Sequence, residues 1–69
     1  NLLITFEAAG RHLSFTRAAT ELNVSRVAVS QQMQALEKFL GTILFQRLQR
    51  SVKLTREGER YHHAISDAL

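Results

Sequence analysis

Apolar residues recur along this chain at two different spacings. Over the first 40 residues they return every three or four positions, as in helices with one buried face. The spacing predicts a helix over Leu2–Arg11, a second over Phe15–Leu22 and a third over Arg26–Leu40. Beyond Gly41 apolar and polar residues alternate in two short runs, which predicts a small β-hairpin. A final helix follows, with Thr55 as its N-cap.

The junction between the second and third helices has the features of two helices that cross steeply. Ala18 and Ala19 are small enough for a close approach, and Asn23 tolerates the left-handed conformation of a tight turn. Ser25 is a good N-cap, and Val29 returns an apolar side chain to the core. With the hairpin, this order predicts a mainly α fold: a winged helix-turn-helix of three helices, a short β-hairpin wing and a C-terminal helix.

The same pattern suggests structural roles for a few other side chains. Gln32 and Phe39 lie on the core-side flank of the third helix, and Gln32 is expected to satisfy backbone groups rather than read bases. His12 follows the first helix, where a positive charge suits the helix dipole. Either Ser14 or Thr16 can cap the second helix.

Length and composition narrow the class of protein. A chain of 69 residues forms one small domain, and such domains bury only about 60% of the surface of the unfolded chain. There is no cysteine for disulfides or thiolate metal sites, which fits a reducing cytoplasm. No segment has the length or flanks of a membrane span or a signal peptide. We expect a cytoplasmic protein with no membrane partner and, since the chain starts without Met and ends in mid-pattern, a part of a longer protein.

Charge favours a polyanionic partner. Nine Lys and Arg against six Asp and Glu give a net charge of +3, and the isoelectric point is near 10.2. No acid lies between Glu37 and Glu57, whereas Arg47, Arg50 and Lys53 flank the tip of the hairpin. A basic loop of this kind can reach phosphates or the minor groove of DNA. The alternative is a solvated sheet edge protected by charge.

The polar face of the third helix has the chemistry of a DNA-base reader. It carries Gln, Ser and Arg where exposed helices usually favour Glu and Lys. Arg pairs with guanine, Gln with adenine and Ser with either, and Val can touch a thymine methyl. The alternative is an ordinary solvated face. The candidate DNA-binding residues of this helix and its cap are Ser25, Arg26, Val27, Ser30, Gln31, Gln34 and Lys38.

The start of the second helix supplies two further candidates. Thr16 and Arg17 are placed to contact phosphate together with the N-terminus of that helix. For Arg17 the alternative is a plain surface position.

The sequence contains neither an enzyme site nor a metal site. His62 and His63 point about 100° apart on a helix and cannot share a metal, and Glu59 with His62 makes one Glu-x-x-His where a bundle site needs two. No nucleophile, base and orienting group come together, and there is no phosphate loop. We expect no enzyme and no cofactor in this domain. A rival class is a winged-helix module that binds protein through its Gln-rich face.

Two apolar stripes exceed what so small a domain can cover. They predict a contact with a second subunit. Such a dimer would set two DNA-reading helices one DNA turn apart, about 34 to 36 Å, or a multiple of it, on a roughly palindromic site. The residues of these stripes are Leu2, Leu3 and Phe6 on the first helix and Tyr61, Ile65 and Ala68 on the last.

The helix-turn-helix, the basic hairpin and the start of the last helix together resemble the N-terminal domain of the LysR-type transcriptional regulators, over essentially all 69 positions. The run from Arg11 to Ala19, together with Glu57-Gly58-Glu59, resembles the subgroup that includes the glycine-cleavage and beta-lactamase regulators. The matching segments are Phe6–Ala19, Val29–Gln32, Leu36-Glu37, Leu40-Gly41, Leu44–Arg47, Arg50 and Leu54–Gly58.

The resemblance implies a sequence-specific DNA-binding transcriptional regulator. Residues 1–54 would form the DNA-binding domain, with recognition helix 26–40 in the major groove and wing 44–54 on phosphate or the minor groove. Residues 55–69 would begin a linker helix that organises a homodimer or tetramer. A small-molecule coinducer would bind a separate C-terminal effector domain of periplasmic-binding-protein type, and RNA polymerase is a further candidate partner.

Three positions of the recognition helix depart from the residues frequent in the family. They are Arg26, Val27 and Gln31, all on the face predicted to meet DNA. The operator sequence therefore does not follow from the resemblance.

Overall fold

The computed structural model describes all 69 residues, and its elements follow the predicted order. The antiparallel strands pair Phe45 with Leu54, Gln46 with Lys53 and Arg47 with Val52. None of the helices combines the length and the apolar composition of a membrane span. The elements are α1 (Leu2–His12), α2 (Phe15–Leu22), α3 (Arg26–Leu40), β1 (Phe45–Arg47), β2 (Val52–Leu54) and α4 (Arg56–Ala68).

The helix-turn-helix forms as its local sequence predicts. Asn23 adopts the left-handed conformation at φ 59°, and the amide of Val24 donates to the carbonyl of Ala19. Ser25 caps α3, because its hydroxyl oxygen accepts from the amide of Ala28 at 3.0 Å. Gly41 ends α3 at φ 69°, a conformation that glycine adopts at little cost.

Helix α1 ends one residue later than predicted, at His12, and Leu13 follows in the left-handed conformation at φ 52°. The carbonyl of Leu13 accepts a hydrogen bond from the amide of Val52 at 3.1 Å, which ties this turn to the wing. Ser14 is the cap of α2, since its hydroxyl oxygen accepts from the amide of Arg17 at 3.1 Å. The choice between Ser14 and Thr16 is thereby decided.

Aromatic rings from distant segments meet in one core. The Phe6 ring lies 5.5 Å from that of Phe45 and 5.7 Å from that of Tyr61, and Phe15 meets Phe45 edge-on at 5.2 Å. The buried apolar residues are Phe6, Ala8, Ala9, Phe15, Ala18, Ala19, Val29, Met33, Leu36, Leu44, Phe45, Val52 and Ile65.

Burial corrects part of the predicted subunit contact. The side chains of Phe6 and Ile65 are only 0% and 8% exposed, because α1 and α4 pack on each other within one chain. These two residues therefore belong to the core and offer no surface to a partner. Phe39 is corrected in the opposite sense, since it is 84% exposed rather than on the flank of the core.

Helix α4 is fastened to the rest of the domain by close backbone approaches. A side chain at Gly58 would collide with the carbonyl oxygen of Leu44. The Thr55 hydroxyl donates to the carbonyl of Ile43 at 2.7 Å and accepts from the amide of Gly58 at 3.0 Å. The ring of His62 lies over Gly10, and a ring nitrogen is 2.9 Å from the carbonyl oxygen of Glu7.

An ion cluster ties α1 to α2. The Arg11 guanidinium donates to both carboxylate oxygens of Glu7 and to both of Glu21, at 2.7 to 3.0 Å. These hydrogen bonds lower the pKa of Glu7, and with a further contact from His12 at 2.6 Å they lower that of Glu21 to about 2. His12 therefore has a specific partner, beyond the dipole contact predicted for it.

Candidate nucleic-acid interface

The outer face of α3 is open to solvent. Arg26, Val27, Gln31 and Gln34 are all exposed, Val27 by 60%, whereas Val29, Met33 and Leu36 on the opposite side are buried. The helix has 15 residues, so its axis is about 22 Å long. Lys38 continues the exposed face towards the C-terminal end. A duplex can approach this side of the helix without any rearrangement of the core.

The N-terminal ends of α2 and α3 are free of acids. Neither helix carries Asp or Glu in its first turn, so the partial positive charge of each terminus is not neutralised locally. Thr16 and Arg17 at the start of α2 are exposed, as is Arg26 at the start of α3. These positions suit contacts with phosphate.

The three basic residues of the wing point in different directions. Arg50 lies in the turn between the strands, which the hydrogen bond from the Leu48 amide to the Ser51 carbonyl closes at 2.9 Å. Because side chains alternate along a strand, Lys53 shares one face with Gln46 and Arg47 the other with the buried Phe45.

Arg47 reaches across to the two helices of the helix-turn-helix. Its Nη1 donates to the Oγ of Ser30 at 2.7 Å, and its Cζ lies 4.9 Å from the centroid of the Phe15 ring. Ser30 is half-buried and is the one member of the predicted base-reading set that is engaged within the chain by its side chain, apart from the cap Ser25.

Glu37 holds the wing to α3, a role that the sequence analysis did not foresee. Its Oε2 accepts from the amides of Leu44 and Phe45 at 2.8 and 3.0 Å. The available signal was an acid on an otherwise acid-free helix, four residues before the terminating Gly41. Gln32 likewise has a side-chain partner, because its Oε1 accepts from the Thr5 hydroxyl at 2.6 Å, and not the backbone partner expected.

Positive charge on this side of the molecule is unpaired. Of the nine Lys and Arg in the chain, only Arg11 forms an ion pair, and its partners are Glu7 on α1 and Glu21 on α2. The eight others form no ion pair, and of the three in the wing only Arg47 is held by contacts within the chain. No group of three or more His, Cys, Asp or Glu is arranged to hold a metal.

Four of the six residues predicted for a subunit contact keep exposed surface. Leu3 is 40% exposed and Ala68 is exposed, while Leu2 and Tyr61 are half-buried. Leu69 adds apolar surface at the end of α4.

A capped helix with an exposed polar face, a second helix beneath it and a basic hairpin beside it define a winged helix-turn-helix domain of the DNA-binding type. The chain belongs to the lysR family of bacterial regulatory helix-turn-helix proteins, which residues 1–59 match. The family description is that of regulatory proteins. The predictions of fold and family are thereby confirmed.

Similar proteins of known name include two transcriptional activators. The glycine cleavage system transcriptional activator of Escherichia coli K12 is 59% identical over 67 residues, which are 97% of this chain and 22% of that protein. The activator AmpR of Pseudomonas aeruginosa is 53% identical over 69 residues, 100% of this chain and 23% of that protein. The chain thus spans less than a quarter of the length of these relatives.

Solved structures of similar domains include DNA complexes. The CbnR DBD-DNA complex superposes with a TM-score of 0.92 at 33% identity, covering 97% of this chain and 77% of that one. The BenM DBD complex with catB site 1 DNA gives 0.91 at 36% identity, covering 97% and 75%.

Proposed function

We propose that α3 lies in the major groove of double-stranded DNA and reads base edges through Arg26, Val27, Gln31 and Gln34. The observation that carries this proposal is the exposure of these four side chains on one face of a helix whose other face is buried. Their chemistry supports contacts with guanine, adenine and the thymine methyl. The structures of similar domains solved in complex with DNA support DNA as the partner.

The basic residues around α3 position the domain on the backbone of the duplex. Arg50 at the wing tip contacts phosphate or the adjacent minor groove, and Lys53 and Lys38 add phosphate contacts. Thr16 and Arg17 at the start of α2 contact phosphate from the other side of α3. Their exposure and the absence of ion pairs support these roles.

The salt dependence of DNA binding tests this assignment. Arg50→Ala is expected to lower the slope of log K against log salt by about one, because one phosphate contact is lost. Arg60→Ala on α4 removes the same charge away from the proposed interface and should leave the slope unchanged. Equal slopes for wild type and Arg50→Ala would contradict the wing contact, and the absence of salt-dependent binding would favour a protein-binding module.

We also propose, from the family, how the domain functions within a longer protein. In it, residues 55–69 begin a linker helix, and two copies associate through surfaces that include Leu2, Leu3, Tyr61 and Ala68. The full-length assembly is a dimer or a tetramer. A separate effector domain binds a small-molecule coinducer, and the protein acts in the cytoplasm, with RNA polymerase as a candidate partner. The full-length structures solved for CbnR and BenM support a second domain, because this chain covers only 23% and 22% of them.

A further inference from the structure

Arg47 differs from the other basic residues of the wing because its side chain is engaged within the chain. Its guanidinium donates to Ser30 on α3 at 2.7 Å and lies 4.9 Å from the ring centroid of Phe15 on α2. The Phe15 ring is held in turn by Phe45, the neighbour of Arg47 on the same face of β1, at 5.2 Å. Arg47 is thus braced by both helices of the helix-turn-helix.

This contact decides the hydrogen-bonding role of Ser30. A guanidinium has donors only, so the Ser30 Oγ must accept. The serine hydroxyl keeps one hydrogen, and that hydrogen finds no acceptor in the chain, whereas the Thr20 hydroxyl donates to the carbonyl of Thr16 at 3.1 Å. Accepting from a cation also polarises the hydroxyl and strengthens it as a donor.

The position of Ser30 makes its remaining hydrogen useful. Ser30 lies one helical turn from Arg26 on one side and from Gln34 on the other, within the face proposed to meet the duplex. A donor at this position is suited to an acceptor on DNA: guanine O6, purine N7, thymine O4 or a phosphate oxygen.

We propose that Arg47 is a positioning residue for DNA recognition, which fixes Ser30 as a hydrogen-bond donor to the duplex and does not itself contact phosphate. The proposal rests on the proposed function. It separates Arg47 from Arg50 and Lys53, with which its place in the sequence had grouped it. The wing thereby acts on the recognition helix directly, in addition to any contact that it makes with DNA.

A double-mutant cycle on DNA binding tests the proposal. The variants are Ser30→Ala, Arg47→Met and the two combined, measured on a duplex that the wild-type chain selects from a randomised pool and on random duplex. Methionine keeps an apolar stem over Phe15 but removes the donors, and circular dichroism with thermal unfolding verifies the fold. Arg50→Ala serves as the reference for a phosphate contact.

Each single variant is expected to weaken binding to the selected duplex by roughly tenfold, with the salt slope unchanged. In the Ser30→Ala background, Arg47→Met should change the affinity by less than about twofold, because the partner is already lost. Weaker binding to the selected duplex alone identifies a base acceptor, and equal weakening on random duplex identifies a phosphate acceptor. Additive effects, or a slope lowered as in Arg50→Ala, would overturn the proposal while leaving the DNA-binding function intact.

Discussion

Two arginines in this domain have opposite surroundings. Arg11 on α1 lies between the carboxylates of Glu7 and Glu21, both of which have lowered pKa values as a result. Arg26 on α3 is exposed and has no acidic partner. The same contrast holds for the two sides of the domain. Ion pairs of Arg11 link α1 to α2, whereas the Lys and Arg residues of α3 and the wing form none.

The difference shows how one small chain divides stability from recognition. Positive charges that already bind a carboxylate within the domain attract a polyanion only weakly. Unpaired charges add little to folding but remain available, and they keep the electrostatic attraction that DNA binding requires. Substitutions of the two kinds should therefore affect stability and DNA binding separately.

The largest expected effect lies in the core beneath α1. Phe6→Ala should lower the free energy of unfolding by about 3 to 5 kcal/mol, because the ring is fully buried against Phe45 and Tyr61. Phe39→Ala is the control, since that ring is 84% exposed and its removal should change stability by about 0.5 kcal/mol at most. Urea unfolding measures both. Equal losses would contradict the burial of Phe6 within one chain.

On the recognition side the effect should appear in binding alone. Gln31→Ala is expected to remove about 1 to 3 kcal/mol of discrimination at one base pair, because the base edge would lose the exposed side-chain amide as its hydrogen-bond partner. Its effect on unfolding should be about 0.5 kcal/mol or less. Affinities for a selected duplex, for its single-base variants and for random DNA provide the measurement. The same loss on every duplex would exclude base reading by Gln31.

Local sequence signals predicted the elements well because each signal acts over a few residues. Ser25 and Gly41 mark the two ends of α3 by capping and left-handed geometry, and both do so in the structure. The alternation of side chains along the strands also places Arg47 and Lys53 on opposite faces of the hairpin, although the charge pattern of the sequence grouped them. Leu13 gave no such signal, since leucine rarely adopts positive φ, and its turn is tied to Val52 in the wing.

Long-range packing explains the predictions that were wrong. Periodicity identified the apolar face of α1, but it could not say that Phe45 and Tyr61, far along the chain, would cover Phe6. The prediction from the sequence was that a second subunit would cover Phe6. Phe39 shows the converse, because proximity to an apolar stripe does not ensure that the core extends to that position.

A smaller effect is expected where the two sides meet. Glu37→Ala should lower the free energy of unfolding by about 1 to 2 kcal/mol, since the amides of Leu44 and Phe45 lose a charged acceptor and are only partly open to water. Hydrogen exchange should become faster at these two amides. Glu57→Ala on α4 is the control, because its exposed carboxylate makes no hydrogen bond within the chain. Unchanged exchange at Leu44 and Phe45 would show that Glu37 is not the tether.

The smallest effect concerns the paired charges themselves. The Arg11 guanidinium, with His12, lowers the pKa of Glu21 from 4.5 to about 2, so the stabilisation is present in full above pH 4.5. It should disappear as the pH falls from 4.5 to about 2, because protonation removes the charge that Arg11 binds. Thermal unfolding against pH measures this loss, and Glu21→Gln should make the acid side of the curve shallower.

Glu59→Gln is the matched control for this titration, because the exposed carboxylate of Glu59 forms no ion pair. It should keep the wild-type fall in stability below pH 4.5. Glu7 also binds Arg11 and has a lowered pKa, so Glu21→Gln should reduce the fall without abolishing it. A curve identical to wild type would mean that the α1 to α2 ion pairs contribute nothing to stability. The contrast between the two sides would then lie in the availability of charge for DNA, and not in folding.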